Sequence, residues 1–168
     1  MLPYGLGLAG VVLVLDQATK WLFYASLTGL PFWDAPPGPL PRAPSVEVTG
    51  FFNLVTVWNY GVSFGMFNRG GAEAAWIFAL VAAAITTALL VWLARSPPRI
   101  VATALGFVIG GAIGNVVDRL RFGAVFDFLD LHVLGWHWPA FNVADAAITI
   151  GVVLLLVDAL FAPKPSVK

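Results

Sequence analysis

The sequence predicts an all-α membrane protein: four transmembrane helices carrying a small surface β-sheet. Three observations predict it. Of 168 residues, 60% are hydrophobic and only 11% charged, where a water-soluble domain carries about 25% charged residues. Four apolar stretches approach the ~20 residues that a helix needs to span a bilayer: Pro3–Ser26, Ala72–Ala94, Ile100–Val117 and Phe141–Phe161. Between the first two lies a stretch rich in Val, Phe, Thr and Trp, the residue types that favour strands.

The first span has no basic leader and carries Asp16 and Lys20 in its second half, so it reads as a retained helix rather than a cleaved signal peptide. After it, PFWDAPPGPLPRAP holds six of the twelve prolines and cannot be helical. SVEVTGFFNLVTVW follows, read as two strands over about 46–58 with Gly50 between them. Spans two and three are joined by the short turn RSPPR, 95–99, with two arginines, and the tail adds Lys164 and Lys168. Short basic segments mark the cytoplasmic side. Both termini are therefore expected inside, with 27–71 and 119–140 outside. The second outer segment is aromatic and holds both histidines. Residues 1–168 form one domain.

This topology gathers the polar residues. Asp16, Lys20, Asn115, Asp118, Asn142 and Asp145 all fall at the outer ends of spans one, three and four, and Asp127 lies in the segment joining the last two. Ionisable residues are costly in hydrocarbon and usually face a bundle interior or wet cavity, so their convergence predicts one polar site. Asp16 and Lys20 are i,i+4 in the favourable acid-first order. That pair can serve structure alone or a site. Gly106, Gly110 and Gly114 form a ridge of small residues for close helix packing. Zero net charge argues against a nucleic-acid partner. The absence of cysteine excludes a thiol nucleophile. His132 and His137 with Asp127 and Asp130 show no tight metal-ligand spacing. A proton-coupled carrier is the alternative reading. It calls for polar residues through the whole membrane depth.

The motifs DQATK (16–20), NYGVSFG (59–65), GGAIGNVVDR (110–119), GAVFDF (123–128) and FNVADAAI (141–148) run in order along the chain. In this the sequence resembles the bacterial lipoprotein signal peptidases, the signal peptidase II family of aspartyl membrane proteases. The resemblance spans all four predicted helices. It implies Asp127 and Asp145 as the catalytic pair. It implies Asp16, Lys20, Asn59, Gly61, Asn115, Asp118, Arg119 and Asn142 as residues that hold the substrate and set the pair. It implies an extracytoplasmic β-cradle, a periplasmic lid at NYGVSFG, and a location in the bacterial inner membrane with the site near the outer face. The substrate would be a diacylglyceryl prolipoprotein, cut before its lipidated cysteine. The implied partners are membrane lipid and the family's cyclic-peptide inhibitors. A monomer without cofactor or metal is expected. The Pro-rich stretch 31–44 looks longer than the family's usual link.

Overall fold

The computed structural model describes residues 1–35, 45–61 and 71–161, with side chains in the last stretch from Ile77 onward. Four helices, α1 (Leu2–Thr28), α2 (Gly71–Ala94), α3 (Arg99–Phe122) and α4 (Val143–Phe161), are long and apolar enough to cross a membrane. Their lipid-compatible surfaces are large. Only 17–22% of the apolar windows of α1, α2 and α4 is buried, against 61% for α3. Helix α3 is thus the central mast, in contact with each of the other three.

Glycine is what lets α3 serve as the mast. A Cβ on Gly110 would stand 2.6 Å from the Ala9 carbonyl oxygen of α1, and one on Gly111 would strike the Ala144 carbonyl oxygen of α4. The small-residue ridge therefore has a partner on both sides, α1 along Gly106 and Gly110 and α4 along Gly111. Gly114 sits one turn further out. A Cβ there would lie 2.6 Å from Oδ2 of Asp16, so the glycine makes room for a carboxylate rather than for a backbone.

The segments between α1 and α2 and between α3 and α4 build one antiparallel sheet in the order β1 (Ser45–Thr49), β2 (Phe52–Asn59), β3 (Val125–Val133), β4 (Trp136–His137). The two strands expected over 46–58 are β1 and β2. The sheet is twice that size because the aromatic segment between α3 and α4, for which no strand was expected, supplies β3 and β4. Strand β3 begins VFDF with all four residues buried. A strand covered on both faces shows no period-two alternation. Helix α3 also runs five residues past its expected end at 117, since its last turn, DRLRF, is polar yet still helical. It stops at Gly123, whose φ of 72° and N–H bond to the Arg119 carbonyl (3.0 Å) form a left-handed cap. Helix α4 starts at Val143, two residues later than expected.

Two devices weld the sheet to the bundle. An aromatic cluster joins Tyr24 of α1, Phe32 of the 3-10 turn at Phe32–Asp34, Trp58 of β2, Phe122 of α3 and Phe126 of β3. Ring centroids in it lie 4.9–6.4 Å apart. Leu129 and Phe141 then exchange backbone hydrogen bonds of 2.9 and 3.0 Å, clamping the start of α4 to the middle of β3. Most of the Pro-rich stretch (36–44) and the expected lid residues from Val62 onward lie outside the described residues. Asp158, in the last turns of α4, is an ionisable side chain at the end of the span opposite to Asp145 and departs from the clustering of the rest at one end of the bundle.

Candidate active site

Asp127 comes from β3 and Asp145 from the first turn of α4. Helix starts leave backbone N–H groups unpaired, and here side chains satisfy them. Asn142 is the N-cap: its Oδ1 accepts from the Asp145 N–H (2.9 Å), while Asp145 Oδ2 accepts from the Asn142 N–H (3.2 Å). This is a reciprocal capping box with Asp in the acidic place. The Ala144 N–H is taken by Oδ1 of Asp16, reaching across from α1 (3.0 Å).

The same Asn142 ties the two carboxyls together. Its Nδ2 donates to Asp127 Oδ1 (2.7 Å), with Asn115 Oδ1 and the Phe126 carbonyl close by at 3.2 and 3.3 Å. Asp127 Oδ2 accepts from Asn59 Nδ2 (3.1 Å), and Asn59 is turned that way because its Oδ1 accepts the Gly61 N–H (3.1 Å). Asp145 Oδ1 accepts from Asn115 Nδ2 (2.8 Å). Three asparagines thus hold both oxygens of each acid, with the Asn142 backbone N–H as the fourth donor.

Beneath this layer lies a fully buried ionic cluster. Lys20 Nζ is 2.8 Å from Asp16 Oδ2 and 2.8 Å from Asp118 Oδ2. Its third contact is Asn115 Oδ1 at 3.4 Å. That contact orients the Asn115 amide, presenting the NH₂ end to Asp145. Asp118 Oδ2 also accepts the Phe126 N–H (3.2 Å), fixing β3 one residue before Asp127. Gln17 Nε2 bridges Asp16 Oδ2 (3.1 Å) and Asp118 Oδ1 (3.0 Å). Removing one member of such a buried set costs about 3–5 kcal/mol, because a charge is left without its partner.

Burial differs between the two acids. Asp127 is 1% exposed. Burial, and then the Asp145 charge, push its carboxyl up to about 8, against the opposing pull of Asn59, Lys20 and Asn142. Asp145 is half-buried and lines a groove of roughly 800 Å³ with Asn59, Leu131, Trp138, Phe141 and Ile148. Arg119 lies beside the site, half-buried. Its Nη1 donates to the Asn115 carbonyl (3.3 Å), its guanidinium sits 5.8 Å from the Phe78 ring, and its buried Nε has no partner among the described residues.

Eight of the ten expected site residues therefore belong to one hydrogen-bonded network. Gly61 joins it through its backbone N–H, and Arg119 borders it through the Asn115 carbonyl. Asp16, Lys20 and Asp118 are covered completely, so they act on the groove only through Asn115, Ala144 and Phe126. Sequence reasoning did not assign Gln17, although it stands inside the quoted DQATK motif. His132 and His137 are elsewhere: His137 Nδ1 lies 2.9 Å from Asp130, and His132 Nε2 lies 3.3 Å from Asn53 Oδ1. Burial works to raise the Asp130 carboxyl, but the bonds from His137 and Asn53 prevail and hold it below its usual value.

The chain matches the family model described as signal peptidase (SPase) II over residues 8–161. It is 43% identical to a lipoprotein signal peptidase of Rhizorhabdus wittichii, over 98% of this chain and 90% of that one. It is 45% identical to one of Methylobacterium sp. (strain 4-46), over 94% and 89%. Two solved structures described as a bacterial membrane enzyme share the fold. One has a TM-score of 0.72 at 28% identity, over 99% of this chain and 95% of the other. The second has a TM-score of 0.74 at 26% identity, over 96% and 95%.

Proposed function

The chain belongs to the signal peptidase II family, and on that premise we propose that it removes the signal peptide of diacylglyceryl-modified prolipoproteins by aspartyl chemistry. The observation that carries the chemical assignment is the single side chain of Asn142, which touches both Asp127 and the backbone of Asp145. One side chain thereby links Asp127 to the turn that carries Asp145 at the groove.

The roles follow from the environments. Asp127, buried and raised to about 8, keeps its proton at neutral pH. Asp145 accepts two N–H bonds and faces the groove, which makes it the acid in reach of a water there. Asp145 takes a proton from water, and the resulting hydroxide adds to the scissile carbonyl carbon. Asp127 donates its proton to the carbonyl oxygen. In the return step the carbon–nitrogen bond breaks, the amine leaves with the proton from Asp145, and Asp127 recovers its own. The apolar groove wall lets acyl chains stay in lipid while the bond to be cut reaches the acids. Asn59, Gly61, Asn115 and Asn142 set the pair. Asp16, Lys20 and Asp118 position that layer from below. Arg119, half-buried beside the site, holds the substrate near its lipid-bearing end. Cyclic peptides that inhibit the family would occupy the same groove.

The protein would lie in the bacterial inner membrane with both termini cytoplasmic and the groove near the outer face. One chain supplies every group named, which supports action as a monomer. The test is cleavage of a diacylglyceryl prolipoprotein by purified protein in detergent. Asp127→Asn and Asp145→Asn should each lose activity by more than about a thousandfold, beyond what a single lost hydrogen bond can explain, while remaining folded. Full activity in either variant overturns the assignment.

A further inference from the structure

The β3–β4 hairpin has two faces of opposite character. On one, every polar side chain has a partner: His137 with Asp130, Asn53 with Asp130 (2.9 Å), His132 with Asn53, and the two imidazoles stacked 4.9 Å apart. On the other, the cross-strand pairing sets Val133 against Trp136, and the Trp138 N–H bonds the Leu131 carbonyl (2.8 Å). That face is apolar and open: Val133 is 61% exposed and Trp136 61%. The turn between the strands is stranger still. Leu134 and Gly135 both have positive φ, 49° and 80°, the two-residue turn in which Asn-Gly is favoured. Leu134 occupies the place suited to asparagine, in a backbone conformation poor for it, and is 103% exposed. Water gives such a residue no compensation; hydrocarbon does.

The hairpin's place in the fold says which partner is within reach. Leu131 and Trp138 line the same groove as Ile148 and Ile150 of α4. Those residues lie five and seven positions into a membrane-spanning helix, roughly 8–10 Å along its axis. The root of the hairpin is therefore level with the outer part of a span, and its open apolar face is continuous with the lipid-facing surface of α4. Trp136 and Trp138 are of the type that settles at the boundary of headgroups and acyl chains.

We propose that the β3–β4 hairpin is a membrane-interface anchor: Leu131, Val133, Leu134, Trp136 and Trp138 insert into the lipid leaflet on the side of the active site, while Asp130, His132 and His137 face water. The strand that carries Asp127 at one end is thus held in the bilayer at the other, and the groove mouth opens at the level of the acyl chains. This inference rests on the membrane-spanning reading and not on the peptidase chemistry.

The chain has no cysteine, so single labels are clean. The full-length protein carrying Val133→Cys, Leu134→Cys or His137→Cys is labelled with an environment-sensitive fluorophore. Each is then reconstituted in phosphatidylethanolamine–phosphatidylglycerol vesicles. The labels at 133 and 134 should emit at shorter wavelength than in water and lose most of their emission to lipids brominated near the headgroup end of the acyl chain. The label at 137 should emit as in water and be quenched by iodide. Val133 has ordinary strand geometry, so its label reports even if one at Leu134 disturbs the turn. Labels at 133 and 134 that respond to iodide and not to brominated lipid overturn the proposal, as does an identical response at all three positions. Neither readout depends on catalytic activity.

Discussion

Asn142 and Asp145 cap each other: the side chain of each accepts the backbone N–H of the other, at 2.9 and 3.2 Å. The turn that starts α4 is therefore also the clamp on an acid of the site. Serine can replace asparagine as an N-cap but cannot reach Asp127 and Asn115 with an amide. Asn142→Ser should keep the cap but lose about 1–3 kcal/mol for the buried acceptor left without its amide donor, whereas Asn142→Ala should lose about 1 kcal/mol more, for the cap as well. Both should lose kcat by tenfold or more. Thermal unfolding in detergent beside steady-state kinetics separates the two roles. Normal kcat in Asn142→Ser would show that the bridge to Asp127 is dispensable.

The raised carboxyl of Asp127 sets a pH limit. Its proton is lost near pH 8 in the folded protein, against 3.8 ordinarily, so kcat should fall on the alkaline side with an apparent pKa near 8. Between those values the folded chain binds a proton that the unfolded chain has released. Stability therefore declines as pH rises from about 4 through about 8. Asp127→Asn should flatten that slope. A protonated-carboxyl infrared band at pH 7, absent in Asp127→Asn, checks the assignment directly.

Arg119→Lys should weaken substrate binding while leaving residual turnover at saturation. Lysine cannot copy the rigid fork of donors, and loss of one hydrogen bond to a charged group costs about 1.5–3 kcal/mol, roughly ten- to a hundredfold in KM. Measured kcat and KM for Arg119→Lys beside Asp145→Asn decide the point. Equal loss of kcat in the two would move Arg119 into the chemical step.

Orientation is open to the same cysteine-free background. Ser96, in the turn between α2 and α3, and Ser45, at the start of β1, are both exposed. In intact cells a membrane-impermeant thiol reagent should label Ser45→Cys and spare Ser96→Cys. The opposite pattern would place the groove on the cytoplasmic side.

The four spans were legible because hydrocarbon tolerates few polar groups. Asp16, Lys20, Asn115, Asp118, Asn142 and Asp145 stood out near their ends for the same reason, whereas Asn59 and Gly61, outside the spans, were implied only by the family resemblance. β1 and β2 were legible from their composition. β3 was not: its first four residues are buried on both faces, so VFDF carries no alternation. The last turn of α3 was missed because its polar residues ended the hydropathy signal before the helix ended. The hold of Asp16 on the Ala144 N–H, 128 residues away in sequence, is a tertiary contact with no local trace. Gln17 stood beside an obvious acid but, being uncharged, gave no sign that it bridges two carboxylates.

Asp16 and Lys20 meet within a single turn of α1, whereas Gln17 and Asp118 are separated by 101 residues. At synthesis rates of about 5–20 residues per second, α3 follows α1 by on the order of 5–20 seconds. During that interval the nascent first helix must reside in lipid with only its own groups for company. The acid-first pair lets it do so as a neutral dipole, and the lysine later shares its charge with Asp118 as the mast arrives. An Asp16 substitution thus strands an ammonium in hydrocarbon before any other partner has been made. Such a variant fails at insertion, ahead of any chemistry, and its level in the membrane must be known before its turnover means anything.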